Sequence, residues 1–101
     1  MFIEKLARAA SSAVKNLYNV EIEPDSLVIN KTRKDYEGDY TLVVFPLTKS
    51  ARKSPDQTGQ EIGNWLKENM PEISHFNVVK GFLNITLKDV FWSDFIKKYA
   101  F

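Results

Sequence analysis

Phe82 and Asn84 stand two residues apart in the run Phe82-Leu83-Asn84-Ile85-Thr86-Leu87. In a strand, residues two apart share a face, so an aromatic ring and a carboxamide lie side by side. Such a pair can stack a splayed base on the ring and hydrogen-bond its edge with the amide, the way single-stranded RNA is read. The same alternation sends Leu83, Ile85 and Leu87 to the opposite side. Alternation establishes that Phe82 and Asn84 share a face. It leaves open whether that face is solvated, or whether Phe82 packs under a loop or helix and Asn84 is an ordinary polar surface residue.

Two groups of cations could meet phosphate. Lys31, Arg33 and Lys34 occupy a polar turn, and Lys49, Arg52 and Lys53 precede a helix start at Ser54-Pro55. The second group is the better placed, because a helix N-terminus adds free N–H groups and the positive end of its dipole. Both groups are also what solvated loop charge looks like.

Other chemistries find no support. His75 is the single histidine and there is no cysteine, so neither a thiolate metal site nor a nucleophile–base pair is in view. Glu37 and Asp39 flank Gly38, where turn chemistry explains them. The glycines at 38, 59, 63 and 81 do not cluster into a phosphate loop. Arg8, Arg33 and Arg52 lack the glycine cradle that an acyl-phosphate hydrolase needs. No catalytic residue and no metal ligand is assigned.

These residues must be positioned by one domain spanning residues 1–101. With 44% hydrophobic and 27% charged residues, the composition is that of a globular chain. A net charge of +1 is too small for an autonomous nucleic-acid binder. Any RNA contact is therefore local, or is shared with a larger protein. Glu4, Lys5 and Arg8 interrupt the early apolar residues, which argues against a signal peptide. No apolar run approaches the roughly 20 residues that span a bilayer. Both absences favour the cytoplasm and no membrane partner.

Apolar residues at three- and four-residue spacing predict a helix over Ile3–Tyr18, with Ile3, Leu6, Ala10, Ala13, Val14 and Leu17 on its stripe. Ser26–Asn30 and Tyr40–Leu47 read as strands around a polar turn with Gly38 as pivot, and Pro46 closes the second strand or lies on an edge. Ser54-Pro55-Asp56-Gln57 is a capping box opening a helix to about Asn69, with Ile62, Trp65 and Leu66 buried. Phe76–Val79 and Phe82–Leu87 form a second strand pair, turned at Lys80-Gly81. A last helix begins near Asp89. The order is αββαββα: an α+β fold, a four-stranded antiparallel sheet with helices packed on one face. The other face is free to bind.

Four pieces, in order, resemble the N-terminal additional domain of arginyl-tRNA synthetases. They are Glu37-Gly38-Asp39-Tyr40 entering a strand, Leu47-Thr48-Lys49, Ser54-Pro55 opening a helix through Ile62, and Gly81-Phe82-Leu83-Asn84-Ile85 followed by Phe91 and Phe95. Each is weak alone; together they cover nearly the whole chain. Thr41-Leu42-Val43, Thr48 and Gly59 depart from the family's usual residues at positions that look like packing.

The resemblance implies a fold of the ribosome-recycling-factor and synthetase additional-domain type. It implies contact with the D-loop at the outer corner of tRNA(Arg), in support of ATP-dependent arginylation by the whole enzyme. Phe82 matches the stacking aromatic and Asn84 the reader of a base edge. Val79 falls at a further contact but has no hydrogen-bonding side chain, so Lys80 is the substitute. Lys80, Lys49, Arg52 and Lys53 are the candidate phosphate contacts. ATP with Mg belongs to the catalytic domain of the parent, which with the anticodon-binding domain is absent from this chain; no cofactor is expected here. The catalytic domain is an expected intramolecular partner. The rival reading is an α+β protein-interaction module without RNA.

Overall fold

The computed structural model describes residues 2–88. The helical stripe forms α1, Phe2–Tyr18, and buries Leu6, Ala10, Ala13 and Val14. Leu17 departs from the expected stripe and is 40% exposed. At that end Tyr18 is the residue that turns inward, donating from Oη to Glu61 Oε1 at 2.7 Å. Asn19, at φ 58, closes the helix in the left-handed region, a conformation asparagine tolerates.

The first strand pair is shorter than the residue types suggest. A 3-10 turn at Pro24–Ser26 delays β1 to Ile29–Lys31. The next strand, β2, is Tyr40–Val43 and does not run on to Leu47. Val44 already has helical φ and ψ, and Phe45–Leu47 is a 3-10 turn running into the short helix α2, Thr48–Ala51. Pro46 accounts for the early stop: it has no N–H for a ladder and fixes φ where a turn needs it. The Thr48 hydroxyl donates to the Phe45 carbonyl at 2.8 Å and secures the turn.

Helix α3 spans Pro55–Asn69 and starts as expected. Ser54 Oγ accepts from the Gln57 backbone N–H at 3.2 Å, with Pro55 in the first turn. The Gln57 side chain also helps to hold the Glu61 carboxyl down. Ile62 and Leu66 are buried, and Trp65 packs half-buried at the core's margin.

Strand β3, Ile73–Val79, begins three residues before the sequence reading, and β4 is Phe82–Leu87 as read. The polar Ser74 and His75 hide the start of β3, and a register irregularity lies between Ile73 and His75. Lys80 and Gly81, at φ 48 and 82, make the two-residue turn between these strands. The helix expected from Asp89, with Phe91 and Phe95, lies outside the described residues.

The sheet order is β1-β2-β4-β3, antiparallel throughout. One face carries Leu42, Leu83, Ile85 and Leu87, which join Leu6, Val14, Ile62 and Leu66 in the core under α1 and α3. Helix α3 comes so near β3 that a Cβ at Gly63 would sit 2.5 Å from the Phe76 ring. Among the described residues, no helix is long and apolar enough to cross a membrane.

An ionic knot ties the helical layer together. Glu61 accepts from Lys53 Nζ at 2.5 Å and from Tyr18 Oη at 2.7 Å. Lys53 also stands 5.9 Å from the centre of the Tyr18 ring. Hydrogen bonds from Lys53 and then Tyr18 hold the Glu61 carboxyl below its ordinary range, against a smaller opposing effect of burial. Burial first, and then the Glu61 carboxylate, push the Tyr18 hydroxyl up. A depressed carboxyl contributes stability above its unfolded pKa and loses it as pH falls through the folded value. Glu61→Gln is therefore expected to cost about 1 kcal/mol at neutral pH, a figure discounted for partial exposure. Its melting temperature should also fall less steeply than the parent's below the ordinary carboxylate range, as read by thermal melts across pH. Parallel acid limbs in the two proteins would show that Glu61 is not coupled to folding.

Candidate nucleic-acid interface

The face of the sheet away from the helices carries the residues that alternation left undecided. Register puts Asn30, Thr41, Asn84 and Asn77 in one row across all four strands, and Val43, Phe82 and Val79 in the next row. The first row is polar and the second apolar. Phe82 is 42% exposed, whereas Asn84 is only 2% exposed. The shared face is thus wet at one residue and covered at the other.

The cover is the β1–β2 loop, which folds back over the sheet. A Cβ placed on Gly38 would lie 3.2 Å from Asn84 Cβ and 3.2 Å from Thr32 Oγ1, so a side chain at 38 would crowd the amide beneath. Three ties hold the loop down. Asp39 Oδ2 accepts from the Leu87 N–H at 2.7 Å, and Asp39 N–H donates to the Ile85 carbonyl at 2.7 Å. Glu37 Oε1 lies 2.7 Å from His75 Nε2, which fixes the loop to β3. This explains Glu37, Asp39 and His75 as positioning groups for the loop.

Beneath the loop, the Asn84 amide is oriented by its neighbours. The Thr41 hydroxyl lies 2.6 Å from Asn84 Oδ1 and 2.9 Å from Thr32 Oγ1. An amide oxygen only accepts, so the Thr41 proton goes to Asn84 and Thr32 donates to Thr41. Asn84 Nδ2 in turn donates to Asn77 Oδ1 at 3.0 Å. Each end of the amide keeps one hydrogen-bonding position beyond these partners. The chain Thr32–Thr41–Asn84–Asn77 fixes which end faces β2 and which faces β3.

Between loop and strands lies a cleft of about 220 Å³, lined by Asn30, Lys31, Arg33, Tyr36, Thr41, Val43, Val79, Phe82 and Asn84. That is smaller than the roughly 300 Å³ at which pockets for whole small molecules begin. It suits a planar ring. No carboxylate lines it.

The phosphate candidates divide. Lys80 is exposed on the turn beside Phe82 and Val79. Lys49 and Arg52 are exposed on α2 and its C-terminal cap. That helix contacts α1 and α3, and neither residue lines the cleft. Lys53 is held by Glu61. The cations that do reach the cleft, Lys31 and Arg33, come from the group that the sequence ranked second. Their signal was a run of basic residues beside a tyrosine, which becomes informative only once the loop is folded over the strand.

The chain matches a family model described as the arginyl tRNA synthetase N terminal domain over residues 4–87. The chain belongs to this family. It is 43% identical over 95 residues to the arginine–tRNA ligase of Bacteroides thetaiotaomicron, covering 94% of this chain and 16% of that ligase. It is 46% identical over 94 residues to the arginine–tRNA ligase of Phocaeicola vulgatus, covering 92% and 16%. Among solved structures, Thermus thermophilus arginyl-tRNA synthetase superposes with a TM-score of 0.71 at 30% identity, over 87% of this chain and 14% of that one. The chain therefore spans about a sixth of the length of the curated ligases it matches. The α+β architecture of this arginyl-tRNA synthetase N-terminal domain is the one that the four sequence pieces implied.

Proposed function

We propose that this domain binds the D-loop corner of tRNA(Arg) through the cleft on its open sheet face, as the N-terminal part of a cytoplasmic arginine–tRNA ligase. The observation that carries the reading is the half-exposed Phe82 ring at the mouth of a base-sized cleft with an oriented amide, Asn84, at its floor. Phe82 stacks the base, and Asn84, largely covered by the loop but lining the cleft, addresses its edge with the hydrogen-bonding positions that Thr41 and Asn77 leave. Lys80 stands beside the ring as a further contact, and Lys49 and Arg52 are available to phosphates away from the cleft. The net charge of +1 makes binding by the domain alone weak and salt-sensitive. ATP and Mg serve arginine activation in the remainder of the ligase, which is also this domain's intramolecular partner. Val28 and Phe45, 46% and 54% exposed, support a second, apolar contact with that remainder.

Amide chemical-shift mapping of the 101-residue chain with a tRNA(Arg) transcript at low salt tests the reading. Perturbations are expected around Asn30–Tyr36, Thr41, Val79–Phe82 and Asn84. Perturbations gathered on α1 and α3, or none at all, would leave the protein-interaction module as the better description.

A further inference from the structure

We infer that the β1–β2 loop supplies the backbone clamp of this site. In that arrangement Lys31 and Arg33 hold the phosphates on either side of one extruded nucleotide, and Tyr36 offers its base a second aromatic surface besides Phe82. The inference rests on the reading of the cleft as an RNA-base site and adds to it the residues that take the sugar-phosphate backbone.

Four observations carry it. Arg33 and Tyr36 line the same cleft as Phe82 and Asn84, and Lys31 borders it at the end of the edge strand β1, where its backbone register pairs it with Tyr40 and a long side chain must turn round the sheet edge to reach a phosphate. Lys31 and Arg33 are exposed and, among the described residues, form no ion pair, while Lys5, Lys15 and Lys53 are each engaged by a glutamate. Of the loop's three carboxylates, Glu37 turns to His75 and Asp39 to the Leu87 N–H, and Asp35 is not among the residues lining the cleft. Tyr36 is 44% exposed, close to the exposure of Phe82 at 42%, so two rings stand half in water at one small cleft.

Unpaired cations beside exposed rings, with no anion among the lining residues, are complementary to a nucleotide, which is a flat ring joined to negative phosphates. Stacking platforms combined with a positive backbone track are the general means of holding single-stranded nucleic acid. The loop is held to the sheet by Glu37 and Asp39 and by the Thr32 hydroxyl on Thr41, so little ordering of the clamp is needed on binding.

The test is the salt dependence of binding of a tRNA(Arg) transcript to the 101-residue chain, from about 50 to 200 mM salt. For a single-stranded segment, leaving one more phosphate without its cation reduces the slope of log K against log salt by about 0.7. The double variant Lys31→Gln/Arg33→Gln is therefore expected to flatten the slope by about 1.4. The charge-keeping variant Lys31→Arg/Arg33→Lys should retain the parent slope. Tyr36→Phe should bind like the parent and Tyr36→Ala more weakly at every salt concentration. Phe82→Ala should lower affinity throughout with the slope unchanged.

If Phe82→Ala weakens binding while the Gln double variant keeps the full slope, the clamp is wrong and the base site stands. If Phe82→Ala binds like the parent, the base site itself is wrong and the clamp falls with it. An equal loss in the Gln and the charge-keeping variants would show that loop structure, not charge, is responsible, and would also overturn the clamp. Thermal melts of each variant identify any loss that comes from unfolding.

Discussion

Leu83→Ala should lower the unfolding free energy by about 2–5 kcal/mol, the cost of emptying a fully buried leucine site. Leu83 is 0% exposed and lies between Leu42 of β2 and Val78 of β3 in the sheet register. Both of those neighbours belong to, or pack on, the same core, so a truncated side chain leaves a void that fixed strands cannot close. For a domain whose total stability is on the order of 5–15 kcal/mol, that is a large share. The melting temperature would drop by roughly 4–8 °C for each kcal/mol lost. Urea titration gives the free energy directly. An unchanged midpoint would mean that the β4 inner face is not part of the core, and the sheet–helix arrangement would have to be redrawn.

Phe82→Ala, one residue away, should do the opposite. The ring is half-exposed on the other face, so its removal should barely move the melting temperature. In the full-length ligase it should raise the KM for tRNA(Arg) by about 5- to 150-fold, the equivalent of the 1–3 kcal/mol that a base–aromatic stack contributes. A stack present in both the bound complex and the transition state is uniform binding, so kcat at saturating tRNA should stay close to the parent value. The KM values for ATP and arginine should not change, since the contact is made to neither. A fall in kcat with an unchanged KM for tRNA would assign Phe82 to coupling between the domain and the catalytic body. A matching fall in melting temperature would make it a packing residue. Adjacent substitutions with opposite readouts separate folding from recognition within a single strand.

Leu83 and Phe82 differ because of the period-2 alternation of β4, which is plain from residue order. The same holds for other local signals. The Ser54 cap, the Pro55 start, the Lys80-Gly81 turn and the apolar stripe of α1 depend on neighbours within a few residues, so residue type and spacing specify them. The four-piece resemblance likewise rests on short local runs of residues. Strand ends were less legible. Pro46 was visible as a breaker, yet the turn it begins also depends on the φ and ψ of Val44 and on the Thr48 hydroxyl. The start of β3 was hidden because Ser74 and His75 are polar, and they become strand residues only through pairing with β4.

The candidate site divides along the same line. The sequence by itself determined that Phe82 and Asn84 share a face, that Leu83 and Ile85 oppose them, and that two basic groups exist. It could not determine that Asn84 is covered while Phe82 is exposed, or that Lys31, Arg33 and Tyr36 reach the cleft while Lys53 is held by Glu61. Those outcomes depend on where the loop from Thr32 to Asp39 lies. Bonds to Ile85, Leu87 and His75, more than thirty residues further along the chain, place it there. Alternation is imposed by backbone geometry within a strand. Which residues meet across a cleft is decided only when distant segments pair.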